Sequence, residues 1–321
     1  MQIKNNDEEE IRNGMPARKI LFIGCLLICA FPQVGTAEGL IMGILFSLLL
    51  GNPWPSNSAT LSKIILQISV VGLGFGLSLG EVLQTGKDSV IYSIAGITFT
   101  LAVGYSLGRL LNTNRNTSAL ISFGTAICGG SAIAAMAPVL KAEDDETAVA
   151  LATVFTLNSF ALLLFPVIGH ALHLSQNVFG TWAGLAIHDT SSVVGAAASY
   201  GTHALAIGTT VKLTRAIWIT PVVVGTAWLK RSDRRARVPL FIIGFILAAT
   251  IRTLFPQYGD YWGDLSAFAR QSLVATLFLI GAGLSREVLR KVGVRPLVQG
   301  VTLWLIVSSL TLIALLFTGG A

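Results

Sequence analysis

Apolar positions in this chain come in long runs rather than at a helical or strand period. A helix needs about 20 mostly apolar residues to cross a bilayer. Such runs cover about residues 20–31, 38–51, 61–80, 89–111, 117–140, 146–170, 180–200, 203–229, 237–255, 266–285 and 294–317. The pattern predicts an all-α polytopic membrane protein of about 10–11 transmembrane segments, with a single transmembrane domain over residues 18–321. Residues 1–17, with Asp7, Glu8, Glu9 and Glu10 in a row, predict a polar, solvated tail. Arg18 and Lys19 before Ile20–Phe31, with small residues near Thr36–Ala37, also fit a cleavable leader. The acidic tail disfavours that reading, so the first segment is expected to stay as a helix.

Two runs depart from simple apolar content. The stretch Gly124–Pro138, GTAICGGSAIAAMAP, is built from small residues around Gly129 and Gly130, with Cys128 and Ser131 beside them. Each glycine costs a helix about 1 kcal/mol relative to alanine. Freed backbone groups survive in lipid only where protein or a water-filled cavity satisfies them. The segment near 117–140 is therefore expected to be discontinuous, the plain alternative being close helix packing through small residues. A second stretch, near 180–200, reads AIHDTSSVVG over 186–195, against AICGGSAIAA over 126–135. Both follow AIxxxSx[IV], and both are followed by an apolar span with a late proline, Pro166 or Pro221. If both stretches are re-entrant hairpins, these pairs are inverted copies. If both are broken spanning helices, the copies are parallel. A separate similarity joins GFGLSLGEVL (74–83) to GAGLSREVL (281–289), seven segments apart, as an inverted repeat would place them.

Composition changes the picture little. The 321 residues are 53% hydrophobic and 12% charged, with mean hydropathy +0.72. A soluble domain carries about 25% charged residues. The net charge of +6 does not indicate nucleic acid, because the cations cluster in short loops. Arg109 and Arg115, then Lys230, Arg231, Arg234, Arg235 and Arg237, then Arg286, Arg290, Lys291 and Arg295 all fall on the side of Arg18 and Lys19. The positive-inside rule makes that side cytoplasmic, with a cytoplasmic N-terminus. The loop Phe255–Asp264 falls on the other side. Cys25, Cys29 and Cys128 lie in apolar runs and match no zinc or disulfide spacing, so no metal is expected.

Polar residues inside the runs carry the candidate chemistry. His188 and Asp189 are followed by Thr190 and Ser191, and Lys212 and Arg215 share a helix face three residues apart. A charge at the bilayer centre costs at least about 2.5–3.5 kcal/mol. One reading is a structural ion pair, such as Lys212 with Asp189. The other is a site, in which Lys212 and Arg215 neutralise a small anion. Gly129, Gly130, Ser131, Thr190, Ser191 and Asn158 would then supply hydrogen bonds, and His188 with Asp189 would carry or gate a proton. Cys128 is kept for its position.

The blocks GTAICGGSAIAAMAPVLKAEDDETAVALA, WAGLAIHDTSSVVGAAASYG and VKLTR resemble the YeiH family of bacterial inner-membrane sulfate exporters. The resemblance runs from the third segment to the end. It implies export of sulfate or a related sulfur oxyanion. It also implies a distant similarity to the cation:proton antiporter and bile-acid symporter group, with inverted repeats and two crossed, unwound helices. That expectation conflicts with the hairpins.

The expected function is secondary transport of a small anion by alternating access, coupled to protons or sodium and without a cofactor. No nucleotide-binding motif is present to support ATP drive. The expected partners are the lipid bilayer and a small anionic substrate, and a homo-oligomer is compatible with the sequence. Two alternatives stay open: an anion channel, and an intramembrane enzyme with Cys128 or Ser131 as nucleophile and His188 and Asp189 as base and orienter.

Overall fold

The computed structural model describes residues 17–230, 240–283 and 293–318. The tail up to residue 16, the cations Arg231–Arg237 and Arg286–Lys291, and residues 284–289 of the second GLS copy lie outside the described residues. Among the described residues every regular element is a helix. Helical residues 17–28 form α1. Then follow α2 (Thr36–Leu49), α3 (Pro55–Gly74), α4 (Leu79–Leu110), α5 (Arg115–Ala126), α6 (Gly130–Leu140) and α7 (Asp144–Ala171). The second half holds α8 (Gln176–Ala186), α9 (Thr190–Tyr200), α10 (Thr202–Ile217), α11 (Ile219–Lys230), α12 (Leu240–Leu254), α13 (Gly259–Ala282) and α14 (Val294–Phe317).

Five stretches are long and apolar enough to cross a membrane: Leu79–Leu110, Asp144–Ala171, Thr202–Leu229, Pro256–Ala282 and Val294–Phe317. The third of these is α10 and α11 joined through a turn at Trp218. Many large apolar side chains on the outer surfaces are exposed, among them Ile91, Leu110, Trp228 and Phe317. Helices this apolar on their outer faces need lipid as their solvent. Helix α4 starts ten residues before the apolar run that announced it, at the capping box of Ser78 and Glu81. Gln84, Lys87 and Asp88 interrupt the apolar pattern there, but they are helix-tolerant residues and do not interrupt the helix.

The ends of the helices sort onto two faces. Arg18 donates to the Leu50 carbonyl, and Asn52 to the Ala282 carbonyl, so the start of α1 and the ends of α2 and α13 lie together. On α14, Gln299 reaches Gly104 and Ser118, which brings in the end of α4 and the start of α5. This is the basic face, carrying Arg18, Lys19, Arg109, Arg115 and Arg295. The opposite face carries the start of α4 and the end of α12, joined by the Leu79 N–H and the Thr253 hydroxyl at 2.8 Å.

Two groups of helices pack side by side. One is α2, α3, α12 and α13, which contact one another closely. Gly72 and Gly74 let α3 approach α13 and α12, where a Cβ would meet Ala269, Phe245 and Ala248. The other group is α4 to α11 with α14. Contacts of α4 with α12 and of α2 with α9 join the groups.

Candidate functional site

Both stretches expected to be discontinuous are broken where expected. Residues 127–129 separate α5 from α6, and residues 187–189 separate α8 from α9. At the first break the Gly129 N–H reaches back five residues to the Gly124 carbonyl at 2.8 Å. Gly129 itself has φ 67° and ψ −127°, a conformation open only to glycine. At the second break Asp189 caps α9, its carboxylate accepting from the Ser192 N–H at 3.0 Å, the Ser192 hydroxyl at 2.7 Å and the Ser191 hydroxyl.

Each break turns the chain back. Asn116, at the start of α5, donates to Glu146 at 2.8 Å, and Glu146 also accepts from the Glu143 N–H just past the end of α6. The start of α5 and the end of α6 therefore lie together beside the start of α7, on the basic face. The tip lies further along α7, where a Cβ on Gly124 would meet Val154 and one on Gly130 would meet Phe155 and Leu151. The second pair mirrors this. Gln176, at the start of α8, accepts from the N–H groups of His203 and Ala204, just past the end of α9. Tyr200, at that end, stacks on His170 near the end of α7 and donates to the Leu174 carbonyl. So α5–α6 enters from the basic face, α8–α9 enters from the opposite face, and α7 spans between their entry points. The crossed, full-span helices implied by the distant similarity are replaced by two re-entrant hairpins. The inverted reading of the AIxxxSx[IV] repeat follows from that.

The tips meet. A Cβ on Gly129 would lie 3.2 Å from the Asp189 Cβ and 3.3 Å from the backbone of His188 and Asp189. Lys212 and Arg215, both 1% exposed on α10, bind the two tips together. The Lys212 ammonium donates to the Ile187 carbonyl at 2.6 Å and the Ile127 carbonyl at 3.3 Å. The Arg215 guanidinium donates to the Ala126 carbonyl at 2.7 Å and to the Leu185 carbonyl. Each cation thus takes one carbonyl from each hairpin. These carbonyls end α5 and α8, where helix dipoles place negative partial charge. Among the described residues no ion pair joins Lys212 to Asp189; the carboxylate is occupied at the head of α9.

Asn158, midway along α7, supports the second tip. Its Oδ1 accepts from the backbone N–H of His188 at 3.2 Å and of Asp189 at 3.4 Å. The same oxygen lies 3.3 Å from His188 Nδ1. An oxygen fixed as acceptor assigns the neutral ring's proton to Nδ1 and leaves Nε2 as a lone pair. Buried polar atoms around the tips without a partner among the described residues include Thr125 Oγ1, Asn158 Nδ2, His188 Nε2, Arg215 Nη2 and Trp304 Nε1. Trp304, on α14, lies 6.4 Å from the His188 ring. The Arg215 Nη2 faces α4, at 3.8 Å from a Cβ built on Gly96.

The structure therefore brings together Gly129, His188, Asp189, Asn158, Lys212 and Arg215, with buried Cys128 inside the first tip. Thr190 and Ser191 are half-buried at the head of α9, and Gly130 at the head of α6. Ser131 stands apart, exposed on α6. Trp304 and the four carbonyl residues escaped the sequence reading. A tryptophan in a span looks like packing, and every residue has a carbonyl.

These features define a polytopic membrane protein with two opposed hairpins joined tip to tip between its two faces. The chain belongs to the family described as conserved hypothetical protein 698, which matches residues 19–300. The YeiH family resembled by the motif blocks is that same family. The chain is 68% identical to "UPF0324 membrane protein GSU2818" of Geobacter sulfurreducens, over 94% of this chain and 98% of that one. It is 46% identical to "UPF0324 membrane protein Bd1437" of Bdellovibrio bacteriovorus, over 96% and 97%. It is 49% identical to a UPF0324 membrane protein of Bacteroides thetaiotaomicron, over 87% and 85%. No solved structure matches the chain.

Proposed function

We propose that the protein is a secondary active transporter of a small anion, working by alternating access at the meeting point of the hairpins. The observation that carries this is the joint itself: two hairpins from opposite faces, held tip to tip by Lys212 and Arg215. A site reached from either face through one hairpin is what alternating access requires. The charge at the joint favours an anion. Lys212 and Arg215 stand against the single carboxylate of Asp189, and Asn158 Nδ2, Arg215 Nη2 and Trp304 Nε1 are buried donors without a partner among the described residues. Sulfate or a related sulfur oxyanion is the substrate the family resemblance supplies. His188, with its bare Nε2, is the proton carrier; sodium is the other coupling ion to test. The membrane is the bacterial inner membrane, with the basic face cytoplasmic.

The geometry favours transport over intramembrane hydrolysis. Asp189 holds Ser191 and Ser192 and does not orient His188, and Asn158 takes the ring Nδ1. Neither Cys128 nor Ser131 forms a hydrogen bond with the His188 ring among the described residues.

The test is sulfate and sulfite flux into liposomes holding purified protein, with and without a pH gradient. Saturable flux that follows the gradient and falls to background in Lys212→Ala is expected. A Lys212→Ala protein that inserts normally and transports at the parent rate would overturn the reading.

A further inference from the structure

A cavity of about 340 Å³ opens at the face opposite the basic one, between the two helix groups. Its walls are α3, α12 and α13 on one side and α10 on the other, with Glu81 of α4 at the mouth. We infer that this cleft is a second anion site at the mouth of the transporter on that face, and that it takes an organic anion, an acidic head group on a small apolar body, rather than the inorganic oxyanion carried at the joint. The inference rests on the transport reading for its role and on the cleft alone for its ligand.

Charge sets the sign of the ligand. Arg252 and Arg270 line the cleft together with His203. Both arginines are half-buried, and neither has a hydrogen-bond or ion-pair partner among the described residues. The one carboxylate in the lining, Glu81, already accepts from the N–H and hydroxyl of Ser78. The Glu81 carboxylate acts on Arg252 and His203, so the lining sets two guanidinium groups against one carboxylate, and that excess of positive charge attracts a carboxylate or a similar head group. At the inner end Thr209 lines the same cleft, and its buried hydroxyl has no partner. Thr209 sits one turn before Lys212 on α10, so the cleft leads toward the joint.

Size and lining set the rest of the ligand. The volume falls within the range of about 300–1,000 Å³ typical of small-molecule sites. An inorganic oxyanion, no larger than a few waters, would leave most of it unfilled. Part of the wall is apolar: Phe75, Leu77, Leu205 and Phe245. Those side chains offer nothing to sulfate, but they would take an alkyl or aryl body out of water.

Calorimetry on the purified full chain in detergent tests this, with acetate, butanoate, hexanoate and sulfate at matched ionic strength and hexanol as the uncharged control. Affinity should rise about fourfold per added methylene until the cleft is filled. It should fall about tenfold or more in Arg252→Gln/Arg270→Gln. Gly263 lines the cleft and a Cβ built there meets nothing within 4 Å, so this wall accepts a side chain, and Gly263→Phe sets a ring at the cleft. That variant should lose hexanoate binding even if the arginine variant fails to fold. Sulfate binding as tightly as hexanoate, or carboxylate affinity unchanged in Gly263→Phe, overturns the inference. Carboxylate binding as expected, with no flux of any anion in liposomes, leaves the cleft's ligand standing and removes the transport reading. Sulfate flux without carboxylate binding does the reverse.

Discussion

Gly129 sets the tightest constraint on any one residue. Its conformation excludes a side chain, and a Cβ there would press on the Asp189 Cβ and on the backbone of the facing tip. Gly129→Ala is expected to cost about 1–3 kcal/mol and to lower the melting temperature in detergent. An unchanged melting curve would mean that the tips do not touch. Asn158 is the second such position, because one oxygen serves two buried N–H groups. Asn158→Leu strands both, at about 1–3 kcal/mol each. Asn158→Asp keeps an acceptor there and should retain more stability, a comparison that separates hydrogen bonding from packing. Asn158, His188, Lys212 and Arg215 were legible as polar residues out of place in apolar runs. Their partners were not. Lys212 reads equally well as half of an ion pair, and only the fold shows that its charge goes to carbonyls at two helix ends.

Among the elements, the hairpins follow from three residues at each tip. Small residues over 128–131 let the chain reverse within the first break, and an aspartate at 189 restarts the helix after the second. The break positions were legible because GG and HDTS interrupt apolar runs. Whether the chain crossed or turned back was not legible, since a broken span and a hairpin share one local pattern. Loop charge did not decide it either, because both readings leave the cations on one side. Labelling decides it. With Cys25, Cys29 and Cys128 replaced, single cysteines at Arg115 and Asp145 should react with an impermeant thiol reagent from the same side. Cysteines at Asn177 and Thr202 should react only from the other side. All four positions are exposed. Reaction of Arg115→Cys and Asp145→Cys from opposite sides would mean that α5–α6 spans.

For the whole molecule, the inverted copies explain why a site at the centre can serve both faces. The first GLS copy follows α3 at the face opposite the basic one; its counterpart past Gly283 lies outside the described residues, so the inverted repeat rests on the two hairpins. The cleft between the groups is open on the face opposite the basic one, and the joint lies beyond its inner end at Thr209. Exchange of access between faces then needs the hairpin group to move against α2, α3, α12 and α13. The contact to watch is Gly195 of α9, where a Cβ would lie 2.6 Å from the Leu277 side chain of α13. The atoms in the way are the flexible ends of Leu277 and of Leu162 on α7, so a cysteine at Gly195 is accommodated when they turn aside. Gly195→Cys/Leu277→Cys, bridged by a short bifunctional thiol reagent, ties the second hairpin to the facing group. Flux should fall to background on bridging with a reducible reagent and return on reduction, while each single-cysteine protein keeps its flux through the same treatment. Transport at the parent rate in a fully bridged protein would mean that the two groups move as one body, and the route across the membrane would then have to lie within the hairpin group alone.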